Sequence, residues 1–106
     1  MIDRHRLPHI GRLPAAARNA ITDVPGVTVG HCTLADGPVQ TGVTVIRLHA
    51  GDLFRDRVPG AAAVINGFGK SVGLVQLDEL GLIETPIALT NTFSVGAIAT
   101  AQIRQC

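Results

Sequence analysis

A chain of 106 residues holds one small domain at most, and folded alone it would withdraw about two-thirds of its unfolded surface from water. Apolar residues make up 46% of it, charged residues 16%, and aromatics number three, which excludes a disordered chain and predicts a core of Val, Ile, Leu and Ala. Residues 1–18 carry four Arg against one Asp and the remainder five Lys or Arg against seven acids, so no basic stripe supports nucleic-acid binding.

Residues 1–18 mix Arg, His, Gly and two prolines without periodicity and read as an extended arm, with a helical last turn near Ala15 to Arg18. The opening residues lack the continuous apolar region of a secretory signal. No later run approaches the length of about 18 apolar residues that a membrane span needs. Two cysteines, Cys32 and Cys106, make no disulfide framework, so a soluble protein of the reducing cytoplasm, without membrane contact, is expected.

From Asn19 the pattern becomes that of a folded domain, 19–106. Pro25-Gly26 marks a turn, and Val27 to Thr33 is a β-branched strand. Gly-Val-Thr-Val occurs at 26–29 and again at 42–45, separated by the turn cluster Asp36-Gly37-Pro38, so the second copy is expected to pair antiparallel with the first. Val43 to Leu48 runs almost wholly apolar, as in a central strand buried on both faces. Residues 50–60 read as a solvated loop, and Ala61 to Ile65 as a short apolar run ending at Asn66-Gly67. Apolar positions Val72, Val75, Leu77 and Leu80 predict one helix from Ser71 to Leu80, closed by Gly81. Pro86 to Leu89 is a further strand. Thr92 or Ser94 would cap a last helix, Val95 to Gln105, with its apolar face at Ile98, Ala101 and Ile103. Neither Gly nor Asn follows to close that helix, which predicts the front part of something longer.

The candidate chemistry lies between Asn66 and Gly96, in Asn66-Gly67-Phe68-Gly69-Lys70-Ser71 and Thr90-Asn91-Thr92-Phe93-Ser94-Val95-Gly96. Both motifs sit where strands are expected to end, at corners that expose backbone N–H groups and side-chain amides. Gly69-Lys70-Ser71 imitates the end of a phosphate loop, but the first glycine of that motif would fall on Val64. A glycine-rich turn with a solvated lysine is the better reading. His5 and His9 are separated by Pro8, and His31 and Cys32 point to opposite faces of a strand, so neither a metal nor a cofactor is expected. Asp78-Glu79 reads as a solvated helix face. Ser71, Thr90, Thr92, Ser94 and Cys106 are hydroxyl or thiol candidates without an elbow motif or a histidine partner in local sequence. Asn91, an amide at a strand end, is suited to donate to a substrate carbonyl or to cap its own turn.

Four ordered blocks then carry a resemblance. Asn19 to His31, Thr41 to Ile46, Ala63 to Gly69 and Glu84 to Gly96 resemble, in order, the amino-terminal part of the DmpA-type P1 aminopeptidases of family S58. The resemblance implies an α/β (α+β) fold, here part of an αββα sandwich of the DmpA and ornithine-acetyltransferase type. It further implies a self-processing hydrolase whose precursor is cut before a Ser or Thr, the amino-terminal nucleophile of the second subunit. Members run to several hundred residues, so this chain would supply only the front of the large subunit and would be inactive alone. The family's nucleophile, its main oxyanion Asn and the acid that receives the substrate ammonium all lie later, so no catalytic residue is assigned. Asn66, Gly67, Asn91 and Thr92 are the candidate substrate-pocket or loop-shaping positions. Implied partners are a short peptide or amino-acid amide, the protein's own carboxy-terminal portion, and further copies in a homo-oligomer. Lys70 departs from the family pattern, in which an acid commonly follows Asn-Gly-x-Gly. Asn91-Thr92 imitates a processing junction, but a cut there would leave too short a second chain. The alternative from another class is a non-catalytic α/β scaffold or remnant that associates with a partner.

Overall fold

The computed structural model describes residues 10–105. The first half of the expected arm, with His5 and His9, and the thiol of Cys106 lie outside the described residues. Between Ala15 and Arg18 there is no helix. The first helical turn comes later, as a 3₁₀ turn at Ile21–Asp23, where Asp23 carboxylate oxygens accept from the N–H groups of Arg18 and Ala20. That local ring of bonds gives the 3₁₀ turn what the Ala-rich segment lacks, a side chain to satisfy its free N–H groups.

Strand β1 (Thr28–Asp36) and strand β2 (Val39–Arg47) form the antiparallel hairpin expected from the repeated tetrapeptide. The two-residue connection is Gly37-Pro38, with Gly37 at φ +51°, the glycine-first pattern of a II′ turn whose twist matches the strands. The tetrapeptide copies do not face each other, however. Residues 42–45 pair with 30–33, because the turn fixes Asp36 opposite Val39 and sets every later partner. At Gly42 the close approach has a visible reason, since a Cβ there would lie 2.6 Å from the carbonyl oxygen of Cys32.

Strand β5 (Ile87–Thr90) adds to the other side of β2, in register Val43↔Thr90 to Ile46↔Ile87, giving the order β1-β2-β5. Strand β2 is therefore central, as its apolar run suggested. It is not buried on both faces, because the sheet has three strands and Val45 remains 36% exposed. Two very short strands that sequence reading missed, β3 (Val58–Pro59) and β4 (Leu82–Ile83), pair with each other. A Cβ on Gly60 would overlap the Ile83 side chain, so glycine is what lets this pair close.

Helix α1 spans Leu74–Leu80 rather than starting at Ser71. Gly73 precedes it at φ +90°, a left-handed conformation that breaks helical continuity with Ser71 and Val72. Its inward positions are Leu74 and Leu77, one turn apart, whereas Val75 and Leu80 are exposed and so are Asp78 and Glu79. Gly81 ends the helix in the αL conformation with its N–H on the Leu77 carbonyl, as predicted. Helix α2 (Val95–Ile103) packs on β5 through half-buried Val95, Ile98, Ala99 and Gln102. Of the expected face only Ile98 belongs to this i, i+3, i+4, i+7 stripe, since Ala101 is exposed and Ile103 is 75% exposed. The Gln102 amide anchors α2 by donating to the Pro86 carbonyl.

Burial departs most from expectation. Leu53, in the loop read as solvated, is the one apolar side chain buried among the described residues. Residues 61–70 form no strand and are exposed throughout. The accessible surface is 8935 Å², against about 5,600 Å² for a self-contained globular protein of this mass. The radius of gyration of 15.6 Å likewise exceeds the roughly 13 Å of a compact domain of this length. No helix among the described residues is long and apolar enough to cross a membrane.

Candidate functional site

Strand β5 ends at Thr90, and the chain turns through Asn91 and a 3₁₀ turn at Thr92–Ser94 directly into α2. Asn91 shapes this corner from both ends of its side chain. Its Oδ1 accepts from the N–H groups of Phe93 at 3.1 Å and Ser94 at 3.0 Å, satisfying donors that a helical start leaves open. Its Nδ2 donates to Thr41 Oγ1 at 2.8 Å, across to β2. The cap is thus Asn91 and neither Thr92 nor Ser94, because only Asn91 has the extended backbone that aims a side-chain oxygen back at the turn.

One residue earlier, Thr90 Oγ1 donates to the Gly42 carbonyl at 3.2 Å. The β2–β5 ladder is therefore continued by side chains beyond its last backbone pair, Val43↔Thr90. Sequence reading missed Thr41. Its signal lay in Asn91 itself, an amide whose oxygen and nitrogen need partners in different directions.

The Asn66–Ser71 motif does not follow a strand, contrary to expectation. Asn66 Oδ1 accepts from Phe68 N–H at 2.9 Å, an Asx turn that bends the chain at Gly67. Asn66 and Gly67 are exposed, and no hydrogen bond joins them to Asn91. Lys70 makes the connection instead. Its N–H donates to Thr92 Oγ1 at 2.8 Å, and its ammonium lies 5.1 Å from the centre of the Phe93 ring. Thr92 is half-buried, and its hydroxyl is the hinge on which the two motifs meet.

A second feature lies along α2. An open groove of about 860 Å³ runs between Val43 and Val45 of β2, the Leu53–Phe54 loop, and Ile98 and Ala101 of α2. Glu84 at its edge accepts from the Gln76 amide at 2.8 Å and lies 3.4 Å from Arg57 Nε, while the Arg57 guanidinium sits over the Phe54 ring at 5.3 Å. The groove carries no hydroxyl or thiol paired with a base. His31 Nδ1 lies 2.9 Å from Thr44 Oγ1 on the exposed hairpin, away from the corner, and Cys32 is exposed. Among the described residues no three His, Cys, Asp or Glu side chains cluster as metal ligands. The arrangement can shape loops and present donors, and it assembles no acid, base and nucleophile together.

Residues 19–106 match peptidase family S58. Beta-peptidyl aminopeptidase BapA of Sphingosinicella xenopeptidilytica is 45% identical over 91 residues, which is 77% of this chain and 22% of that protein. BapA of Sphingosinicella microcystinivorans is 40% identical over 96 residues, 82% of this chain and 24% of the relative. The chain thus spans about a quarter of the length of the curated relatives it matches. Among solved structures, the PH0078 protein of Pyrococcus horikoshii OT3 superposes with a TM-score of 0.84 at 47% identity, over 92% of this chain and 30% of the other. A Burkholderia sp. beta-aminopeptidase gives 0.83 at 46% identity, over 92% and 29%. The mixed α/β class with antiparallel sheets is accordingly that of these two solved structures, one of them a β-aminopeptidase.

Proposed function

The chain belongs to peptidase family S58, and on that premise we propose that it is the front of the large subunit of an amino-terminal-nucleophile aminopeptidase of the β-aminopeptidase type. The observation that carries this reading is the 40–45% identity to two β-peptidyl aminopeptidases over most of the chain. The substrate is a short peptide or amino-acid amide, cleaved after a residue with a free amino group. The nucleophile is a Ser or Thr released at the start of a second chain by self-cleavage. Its own α-amine then serves as the local base, and backbone or amide donors hold the oxyanion. Asn66, Gly67, Asn91 and Thr92 act in the pocket wall or in the loops behind it, and none of them is a catalyst.

In this reading the isolated chain is inactive, and its first partner is the protein's own carboxy-terminal portion. The surface supports that. Ile65, Phe68, Val75 and Phe93 are each more than four-fifths exposed, and the accessible area exceeds that of a compact domain of this mass. A non-catalytic scaffold would need such a partner as well, so exposure alone does not separate the two. Intact mass measurement of the natural full-length product, with amino-terminal sequencing of its fragments, does. Two chains, the smaller beginning with Ser or Thr, and hydrolysis of β-amino-acid amides are the expected result. A single unprocessed chain without amidase activity would overturn it in favour of the scaffold.

A further inference from the structure

Residues 61–70 are exposed throughout, and among the described residues the Lys70–Thr92 bond is the only hydrogen bond joining them to another segment. The same residue makes a second connection through its side chain. Lys70 Nζ stands 5.1 Å from the Phe93 ring centre, within the range of about 6 Å over which the negative face of an aromatic ring attracts a cation. Phe93 is a firm base for that contact, because Asn91 Oδ1 fixes its N–H, and Asn91 is in turn held to β2 through Thr41. The Asx turn at Asn66 shapes the loop internally but does not dock it. What docks it is Lys70, by main chain on Thr92 and by side chain on Phe93.

We propose that Lys70 is a positioning residue that latches the Asn66–Lys70 loop onto the Asn91–Ser94 corner, so that both line substrate as one unit. The proposal rests on the aminopeptidase reading for its functional consequence, and on the geometry alone for the latch. Lys70→Met keeps the aliphatic stem and removes the cation. Phe93→Leu keeps apolar bulk and removes the ring face, and Lys70→Arg keeps a cation that can lie on that face. All three preserve the main-chain bond to Thr92, so the fold is not at stake.

The test is amide hydrogen exchange across residues 66–71 in the full-length protein, with steady-state kinetics on a β-amino-acid amide. A cation–π contact predicts exchange at least about two- to fivefold faster in Lys70→Met and in Phe93→Leu. The double variant should be no faster than either single one, and Lys70→Arg should behave as the parent. KM should rise with the exchange rate while kcat holds. Unchanged exchange, or strictly multiplicative effects in the double variant, overturns the latch. Faster exchange with an unmoved KM in an active enzyme overturns the positioning role. If the parent protein hydrolyses no amide, the aminopeptidase reading fails, while the exchange cycle still decides the latch.

Discussion

The corner at Thr90–Ser94 and the segment from Ala61 to Gly73 are both built from small polar residues beside apolar ones, yet one is knitted into the sheet and the other lies open. At the corner, Thr90 and Asn91 bond to Gly42 and Thr41 of β2, and Thr92 bonds to Lys70. In the open segment every residue is exposed, with Ile65 at 100% and Phe68 at 91%. Composition does not explain the difference, since Ala61-Ala62-Ala63-Val64-Ile65 is as apolar as Ile87-Ala88-Leu89. The contrast teaches that a short apolar run becomes a strand only where another strand offers its unpaired N–H and C=O groups. Strand β2 offers them to β5, and among the described residues nothing offers them to 61–65.

The sharpest way to break this contrast is to ask whether the open segment stays open in the full-length protein. If the remaining polypeptide covers it, as proposed, Ile65→Ala should cost about 2–5 kcal/mol there, the range for truncating a buried aliphatic side chain. In the isolated chain the same change should leave stability within about 0.5 kcal/mol, as exposed substitutions do. Denaturant unfolding of both forms checks it, and equal small effects in both would show that the segment is never covered. Gly42→Ala should come next. Its Cβ would press on a backbone carbonyl that cannot swing aside, so a loss of about 1–3 kcal/mol is expected by thermal unfolding, in either form. A tolerated alanine would mean that the hairpin is looser than its register implies.

Much of the sheet was legible because its signals are local. The Gly37-Pro38 turn, the β-branched runs and Gly81 each dictate backbone conformation within a few residues, and the family match follows from the same blocks. What failed to show in the sequence depends on distant partners. Residues 61–65 carry strand-forming Val and Ile but no neighbour to pair with, and Leu53 is buried although Asp52, Arg55 and Asp56 surround it. Helix α1 shows a subtler limit, since Gly81 marked its end, while spacing picked the exposed Val75 and Leu80 in place of the inward Leu74, and its start was set by the φ of Gly73. At the corner the sequence allowed Asn91 both a capping and a substrate-facing role. Geometry commits Oδ1 and one N–H of that amide to the chain itself.

That commitment gives the third prediction. Asn91→Ala removes a cap and the tie to Thr41 together and should cost about 1–2 kcal/mol of stability. Asn91→Asp should recover most of it, because a carboxylate oxygen still accepts from Phe93 and Ser94 and can accept the Thr41 hydroxyl. Thermal unfolding of the two variants compares them. If the Asp variant is as poor as Ala, the neutral amide is needed for something other than the cap.

The smallest effect is expected where the chain is already knit by charge. Glu84 and Arg57 join the α1 and β3–β4 region at 3.4 Å, with side chains 23% and 39% exposed. Glu84→Gln removes the attraction but still accepts from Gln76, so a loss of about 0.2–1 kcal/mol is expected, as for other solvent-accessible pairs. Arg57→Met should cost somewhat more, because it also strips the cation from the Phe54 ring and the Nε–H from the Phe54 carbonyl. The pair borders the groove beside α2, so its strength reports on the groove's surroundings. Urea unfolding of the full-length protein gives the value. A cost of 3 kcal/mol or more for removing one partner would be that of an ion pair buried away from water. The groove would then be an interior seam of the full-length protein and not an accessible cleft.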